Sequence, residues 1–346
     1  MVSVKNFGTT KEGRQAHLIA LTNKSGMSLH VTDFGASLVS ILAPDKSGDL
    51  EDVILGFDDV SGYEDNSYYM GATIGRHAGQ IEKGVFTLNG KTYHTVINDF
   101  DNTMHGGPGG FHSRLFNIES LTENSVIFKY LSKDGEANFP GNLNISVTYI
   151  LSDDNSFCLD FDGECDADTI LSMTNHAYFN LNGPQSESIL EHKLKIYAEK
   201  YTEVDEQGLP TGNVFPVSDT PYDFREFRSI GERISYPDKE LQYCGGYDHN
   251  WVLPEDDGVR LCCELTNDDG SRRLQIFSNQ PGFQMYSGNH LNGSKKGKNG
   301  IAYVKQSAMC LEPQVYPNGL NNPHFPSPIL KSGQLYKYRS VYKFTS

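Results

Sequence analysis

The sequence lacks long apolar runs, and this absence excludes a protein that spans a membrane with helices. The longest such runs cover only a few residues, as at 18–21, whereas a helix needs about 20 apolar residues to cross a bilayer. The first residues, MVSVKNFGTTKEGRQ, also lack the apolar core of a signal peptide. We therefore expect no membrane partner and a cytoplasmic location.

Basic residues are scarce relative to acidic ones. The 346 residues include 29 Lys and Arg against 44 Asp and Glu, which gives a formal net charge of −15. Nucleic acids and anionic membranes repel such a chain, so neither is expected as a partner. The acidic residues are scattered along the chain, and solubility is their simplest role.

Cysteine pairs and the common cofactor motifs are missing as well. The six cysteines form no C-x-x-C pair, and the histidines are not spaced as a compact metal site. The chain has no H-E-x-x-H, G-x-S-x-G or G-x-x-x-x-G-K-[ST] motif. The glycines of HGGPGG, at 105–110, are not followed by a helical pattern, which disfavours a phosphate-binding loop. We expect free thiols, no metal and no cofactor.

No segment carries a helical apolar stripe over three turns, and period-two alternation takes its place. Apolar and polar residues alternate in four stretches, at 145–151, 157–161, 194–198 and 336–344. Gly and Pro punctuate the intervals, and a short helix is predicted only near 58–65. Many strands separated by turns predict an all-β fold, a large antiparallel β-sandwich or a barrel-like fold with few short helices. Because no linker or change of composition interrupts the chain, we expect residues 1–346 to form a single domain.

Five segments are too polar and aromatic to be purely structural. They are NTMHGGPGGFH (102–112), MTNHAYFN (173–180), GGYDHNW (245–251), NQPGFQMYSGN (279–289) and CLEPQVYPNGLNNPHFPSP (310–328). Together they offer histidines, carboxylates, amides and flat rings, a set that suits the hydroxyls and the apolar face of a sugar. Taken singly, His105 fits a turn, Asp248 a loop cap and Glu312 a strand end at the surface. His176 follows a strand-like run, so its ring is expected near a strand end.

Read together, these segments resemble the galactose mutarotase (aldose 1-epimerase) family. The matching stretches are TNHAYFNLNG for the family's TNHxYFNL, MHGGPGGF for LHGG, GYDHNW for G[YF]DHN and LEPQVYPNGLNNPHFPSPIL for LETQxxPDxxNxPxFPxxxL. Less specific matches occur at 203–225 and 52–63, and the resemblance covers nearly the whole chain in family order.

The resemblance implies a galactose mutarotase-like supersandwich that interconverts the α and β anomers of free hexoses such as galactose and glucose. Ring opening takes a proton from the C1 hydroxyl and gives one to the ring oxygen, so no cofactor is required. By the family's motifs, Glu312 would be the general base and His176 the general acid. His105 would orient the sugar near its ring oxygen. The implied partner is a small aldose, bound by a monomer or a homodimer.

Further substrate-binding residues are implied by the same motifs. Asp248 and Gln284 would bond other hydroxyls, while Tyr178 and Phe283 would line the faces of the sugar ring. One departure stands out, because the family's GRxANRI is replaced here by GRHAGQI at 75–81. Gly79 and Gln80 thus stand where the family has an Asn-Arg pair that contacts sugar hydroxyls. We expect this departure to affect affinity and sugar preference rather than the type of reaction.

Two alternatives remain open at the level of sequence. A hexose-6-phosphate 1-epimerase of the same fold would need arginines or lysines to hold the phosphate, and the five polar segments offer none near the sugar residues. A non-catalytic sugar-binding protein would have no need of both His176 and Glu312. Arg76, within the departing motif, could compensate for the missing arginine, although a structural role is the simpler interpretation.

Overall fold

The computed structural model describes residues 1–256 and 258–345, in which strands predominate. The α-helices α1 (Val60–Glu64) and α2 (Lys239–Cys244) are short. The strands are β1 (Val2–Thr9), β2 (Gln15–Thr22), β3 (Ser28–Thr32), β4 (Ser37–Pro44), β5 (Leu50–Asp52), β6 (Thr73–Ile74), β7 (Gln80–Ile81), β8 (Val85–Leu88), β9 (Lys91–His94), β10 (Thr103–Met104), β11 (Asn117–Leu121), β12 (Ser125–Ser132), β13 (Leu143–Leu151), β14 (Ser156–Cys165), β15 (Thr169–Ile170), β16 (Thr174–Asn175), β17 (Tyr178–Phe179), β18 (Lys193–Ile196), β19 (Lys200–Val204), β20 (Pro210–Pro216), β21 (Arg228–Ser229), β22 (Asp248–Val252), β23 (Arg260–Thr266), β24 (Arg273–Ser278), β25 (Gly282–Tyr286), β26 (Met309–Gln314), β27 (Ile329–Leu330) and β28 (Tyr336–Thr345). Within the described residues, no helix is long and apolar enough to cross a membrane.

Local sequence accounts for the elements that were predicted. The alternating stretches at 145–151 and 157–161 lie in β13 and β14, which bury every second residue against the core. Asn89 and Gly90 join β8 to β9 with φ of 51° and 76°, the left-handed values that a two-residue hairpin turn requires. Helix α1 falls within the predicted 58–65, and the side chain of Asp59 caps it by accepting the Ser61 N–H at 2.9 Å.

The strands form three large sheets and several two-stranded ones. A five-stranded sheet has the order β1-β2-β3-β4-β5, a nine-stranded sheet β11-β12-β13-β14-β28-β24-β23-β18-β21, and a six-stranded sheet β17-β26-β25-β22-β19-β20. The ladders within these three sheets are antiparallel. The all-β antiparallel prediction is confirmed.

The six-stranded sheet positions the polar residues, because its two faces have different neighbours. One face contributes Trp251, Phe283 and Leu311 to the largest hydrophobic cluster, together with residues of the nine-stranded sheet such as Val147 and Leu274. Successive strand residues point to opposite faces, so the residues between these apolar ones face away from that core. That second face forms the floor of a cavity.

Candidate active site

A cavity of about 350 Å³ lies on the second face of the six-stranded sheet. Glu312 and Gln284 occupy facing positions on β26 and β25, and both line it. Tyr178 on β17 and Asp248 on β22 line it from the neighbouring strands. Period-two alternation thus brings four of the predicted site residues, from distant parts of the chain, onto one surface.

Phe283 corrects one prediction, because it does not line the cavity. It is fully buried in the main hydrophobic cluster, on the opposite face of β25 from Gln284. Since alternate residues of a strand share a face, Tyr286 is the aromatic residue of β25 that lines the cavity. Its ring meets that of Tyr178 edge to face, with 6.1 Å between ring centroids. Tyr286 lies in the polar segment 279–289, and the period-two alternation that starts from Gln284 would have selected it.

His176 lies between the two short strands β16 and β17, as the sequence predicted for a strand end. Its backbone N–H donates to the Ala72 carbonyl at 2.9 Å, and its side chain is buried except toward the cavity. The ring Nε2 is 3.8 Å from Oε1 of Glu312. The other carboxylate oxygen, Oε2, has no protein partner among the described residues. A carboxylate and an imidazole therefore share one end of the cavity, with hydrogen-bonding capacity free for a ligand.

His105 also lines the cavity, and the neighbouring backbone orients its ring. Its Nδ1 accepts the Gly79 N–H at 3.1 Å, which leaves the proton of a neutral ring on Nε2. The ring centroid lies 5.2 Å from that of His176, in an edge-to-face arrangement. His105 has a positive φ of 54°, so the close turn beside Gly106 helps to direct this side chain. Its Nε2–H is a donor fixed next to the Glu312–His176 pair.

Asp248 and Gln284 form a polar pair beside Glu312. The Gln284 amide donates to Oδ1 of Asp248 at 2.7 Å, and its own carbonyl oxygen lacks a protein partner within the described chain. The pair therefore retains acceptor atoms for sugar hydroxyls.

The departure at Gly79 and Gln80 is located at the cavity wall. Both residues line it, but the Gly79 N–H is already bonded to His105. A Cβ added at Gly79 would lie 2.6 Å from the Pro317 side chain, so this position has no room for the family's asparagine. The Gln80 amide donates to the Gly208 carbonyl at 3.5 Å, a contact long enough to be given up for a ligand.

Arg76 does not compensate for the missing arginine. Its guanidinium is buried away from the cavity and makes six hydrogen bonds, including Nε to Ser132 Oγ at 2.9 Å and an Nη atom to the Pro140 carbonyl at 2.7 Å. These contacts support a structural role for Arg76, as a donor to buried carbonyl and hydroxyl oxygens.

Burial shifts the ionisable groups of the cavity toward their neutral forms. It raises the pKa of Glu312 well above the ordinary value, and the nearby negative charge of Asp248 raises it further. Burial also raises the pKa of Asp248, against the opposing bond from Gln284. It lowers the pKa of His176 to about 4, and lowers that of His105 well below the ordinary 6.5. Each carboxyl tends to hold a proton here and each imidazole tends to lose one.

Cys310 contacts the His176 ring on the side away from Glu312. Its Sγ is 3.4 Å from Nδ1, whereas Glu312 approaches Nε2, so the two residues flank the imidazole from opposite edges. The three side chains can place ligand-type atoms within 4.8 Å of one another. A single ring gives only one nitrogen to one ion, however, and the flanking arrangement suits hydrogen bonding to both nitrogens better than a shared metal.

Several cavity residues were not predicted from the sequence. Tyr69, Asp99, His290 and Gln314 line the cavity, in addition to Tyr286. Gln314 was detectable, because it lies two residues after Glu312 on the same strand face. Tyr69, Asp99 and His290 lie on loops, whose approach to a sheet depends on the whole fold, and we find no local signal for them.

Comparison with known proteins identifies close relatives over almost the entire chain. A family model described as aldose 1-epimerase matches residues 17–343. The galactose mutarotase of Rattus norvegicus is 36% identical, with 100% of this chain and 99% of that protein covered. The aldose 1-epimerase of Escherichia coli K12 is 33% identical, with 96% of each chain covered.

Solved structures of epimerases have the same fold as this chain. An aldose epimerase homologue from C. elegans superposes with a TM-score of 0.87 at 30% identity, over 95% of this chain and 99% of that one. A galactose 1-epimerase from Lactobacillus acidophilus also gives 0.87, at 26% identity, over 100% of this chain and 98% of that one.

Proposed function

The chain belongs to the aldose 1-epimerase family, and from that premise we propose that Glu312 and His176 carry the proton transfers that interconvert the α and β anomers of a free hexose. It is an enzyme, a carbohydrate isomerase, and galactose mutarotases among its relatives support galactose as a substrate. The observation that carries the assignment is the approach of Nε2 of His176 to within 3.8 Å of the Glu312 carboxylate inside the cavity.

Ring opening needs two proton transfers at oxygens bonded to one carbon. Glu312 takes the proton of the C1 hydroxyl while His176 gives a proton from Nε2 to the ring oxygen, and the bond between C1 and the ring oxygen breaks. The aldehyde turns about the bond between C1 and C2. Reclosure returns both protons and yields the other anomer. The short spacing between the two side chains suits oxygens that share C1.

The electrostatics of the cavity favour this exchange. Ring opening begins from a Glu312 carboxylate and a His176 imidazolium, and ends with both groups neutral. Because burial raises the pKa of Glu312 and lowers that of His176, it disfavours the charged starting pair relative to the neutral one. Burial therefore favours the movement of a proton from His176 to Glu312 by way of the sugar as the ring opens.

The remaining predicted residues bind and orient the sugar in this proposal. His105 directs its Nε2–H toward the ring-oxygen side, next to His176. Asp248 and Gln284 accept and donate at other hydroxyls, and Tyr178 with Tyr286 presents aromatic surface to the ring. Gln80 supplies an uncharged amide where the family has an arginine.

A free hexose suits the cavity better than a hexose 6-phosphate. The residues that line it within the described chain include no lysine or arginine, whereas Asp99, Glu206, Asp248 and Glu312 all do. A phosphate dianion would meet these carboxylates, and none of the described lining residues is a lysine or arginine that could neutralise it. A cytoplasmic location and a monomeric or homodimeric state are further proposals that rest on the sequence.

Polarimetry on purified protein tests the proposal. We expect chelator-treated protein to accelerate the change in optical rotation of fresh α-D-galactose, and to act far less on galactose 6-phosphate. His176→Asn should fold and lose most turnover, because an amide donates a hydrogen bond but does not deliver a proton at neutral pH. A His176→Asn variant that melts early, yet whose folded fraction remains active, would identify His176 as a structural residue instead.

A further inference from the structure

Cys310 makes a contact that the proposed proton transfers do not use. It lies on β26 two residues before Glu312, on the same face of the strand, and is fully buried. Its Sγ is 3.4 Å from Nδ1 of His176, the nitrogen that faces away from Glu312. The imidazole is therefore held between a thiol at one nitrogen and a carboxylate at the other.

The chemistry demands a fixed proton on the nitrogen next to Cys310. During ring opening and closure Nε2 of His176 loses and regains its proton, so Nδ1 must keep its own throughout. A neutral ring that carried its proton on Nε2 instead would have no lone pair there to take the proton back from the ring-oxygen hydroxyl. Which nitrogen of a histidine is protonated is set by the hydrogen bond that the other ring atom makes.

We propose that Cys310 is a positioning residue for His176, whose sulfur accepts the hydrogen bond from Nδ1–H and so presents Nε2 to the sugar. The role rests on the proposed function of His176 as the acid. Burial raises the pKa of the thiol well above its ordinary value, so the sulfur stays uncharged. An uncharged thiol is a weak acceptor as well as a weak donor, and the role proposed here uses its acceptor capacity. A carboxylate in this position would stabilise the imidazolium. A thiol that accepts from Nδ1–H would favour this tautomer without stabilising the imidazolium, and so would leave Nε2 able to release its proton.

The test combines a spectroscopic measurement with kinetics on the full chain. Nitrogen NMR of protein labelled with ¹⁵N-histidine reports which ring nitrogen carries the proton, and His176→Asn identifies the signal of His176. We expect the Nδ1–H tautomer in the parent and a shift toward Nε2–H in Cys310→Ala. The same variant should lose about 3- to 10-fold in kcat on galactose, with KM changed less than about twofold, as for one net hydrogen bond.

Two further variants separate positioning from packing. Cys310→Ser retains an acceptor and should restore the Nδ1–H tautomer and part of kcat. Cys263→Ala removes an equally buried thiol from the main core and should lower thermal stability without changing the tautomer or kcat. The NMR measurement does not depend on turnover, so it tests the role of Cys310 even if the protein fails to act on galactose.

Two results would overturn the inference. One is a Cys310→Ala protein that keeps both kcat and the parent tautomer. The other is a Cys310→Ala protein that loses kcat with the Nδ1–H tautomer unchanged, which would assign the sulfur a packing role.

Discussion

Replacing Gln80 with arginine tests how the departure from the family pattern affects sugar binding. Gln80 lines the cavity and is nearly buried, and its present contact to the Gly208 carbonyl is long at 3.5 Å. A neutral hydrogen bond contributes about 0.5–1.5 kcal/mol net, and one with a charged donor about 1.5–3. The difference of about 1 kcal/mol corresponds to about fivefold in binding.

We therefore expect Gln80→Arg to lower KM for galactose several-fold while kcat changes less than about twofold. The new contact would be made in the bound substrate and the transition state alike, so it would affect binding rather than turnover. Gln80→Met is the matched control, since it fills similar space without an amide and should raise KM. The assay is steady-state polarimetry at several galactose concentrations, with a melting curve for each variant.

Gly79 must stay unchanged in this experiment. Its φ is +75°, and an added Cβ would lie 2.6 and 2.8 Å from two side-chain atoms of Pro317. We expect Gly79→Asn to lower the free energy of unfolding by about 1–3 kcal/mol, as overpacking does. If Gln80→Arg and Gln80→Met both fold normally and leave KM unchanged, Gln80 does not contact the sugar.

Three further predictions concern protonation and stability. NMR of the free protein should show His176 neutral at pH 5.5, because burial lowers its pKa to about 4, whereas a ring with the ordinary value of 6.5 would be mostly protonated. Denaturant unfolding should show stability falling as the pH drops from about 6.5 toward 4, since the unfolded chain then binds protons that the four buried histidines refuse, and each contributes up to about 1.4 kcal/mol per pH unit. The raised pKa values of Glu312, Asp248 and Asp99 oppose this fall but at fewer sites, so stability that stayed flat or rose across this range would contradict the cause. The histidines whose pKa is lowered by burial in and around the cavity are His77, His105, His112 and His176. Arg76→Met should lower the free energy of unfolding by at least about 3 kcal/mol, because several buried carbonyls lose their donor. The exposed control Arg14→Met should change the free energy of unfolding by less than about 0.5 kcal/mol. Equal effects in the two variants would argue against a structural role for Arg76.

The sequence predicted the strands well wherever one face of a strand is buried. Period-two alternation located β13, β14 and β28, because burial on one side imposes that pattern. The same pattern was informative about the site, since Glu312 and Gln284 face the cavity and their immediate neighbours face the core. Phe283 was assigned wrongly when its chemistry was considered without its position in that alternation.

Other features depend on contacts that no local pattern contains. The steric block at Gly79 comes from Pro317, far along the chain, and Arg76 is held by groups at 132–141 and 169. Cys310 begins the polar segment 310–328, but its approach to Nδ1 of His176 requires β26 to pair with β17. Such pairings belong to the tertiary structure, so the motif could name the acid and the base without showing what orients them.

The most direct test of the proposed chemistry is the turnover of Glu312→Gln on fresh α-D-galactose, measured by polarimetry beside the parent protein. Glutamine keeps the shape of the side chain and most of its hydrogen bonding but is not a base. We expect kcat to fall by roughly 10²–10⁴-fold, with a much smaller change in KM and an unchanged melting temperature. A well-folded variant that retains nearly normal kcat would show that another group accepts the C1 proton, and would contradict the proposed roles of Glu312 and His176.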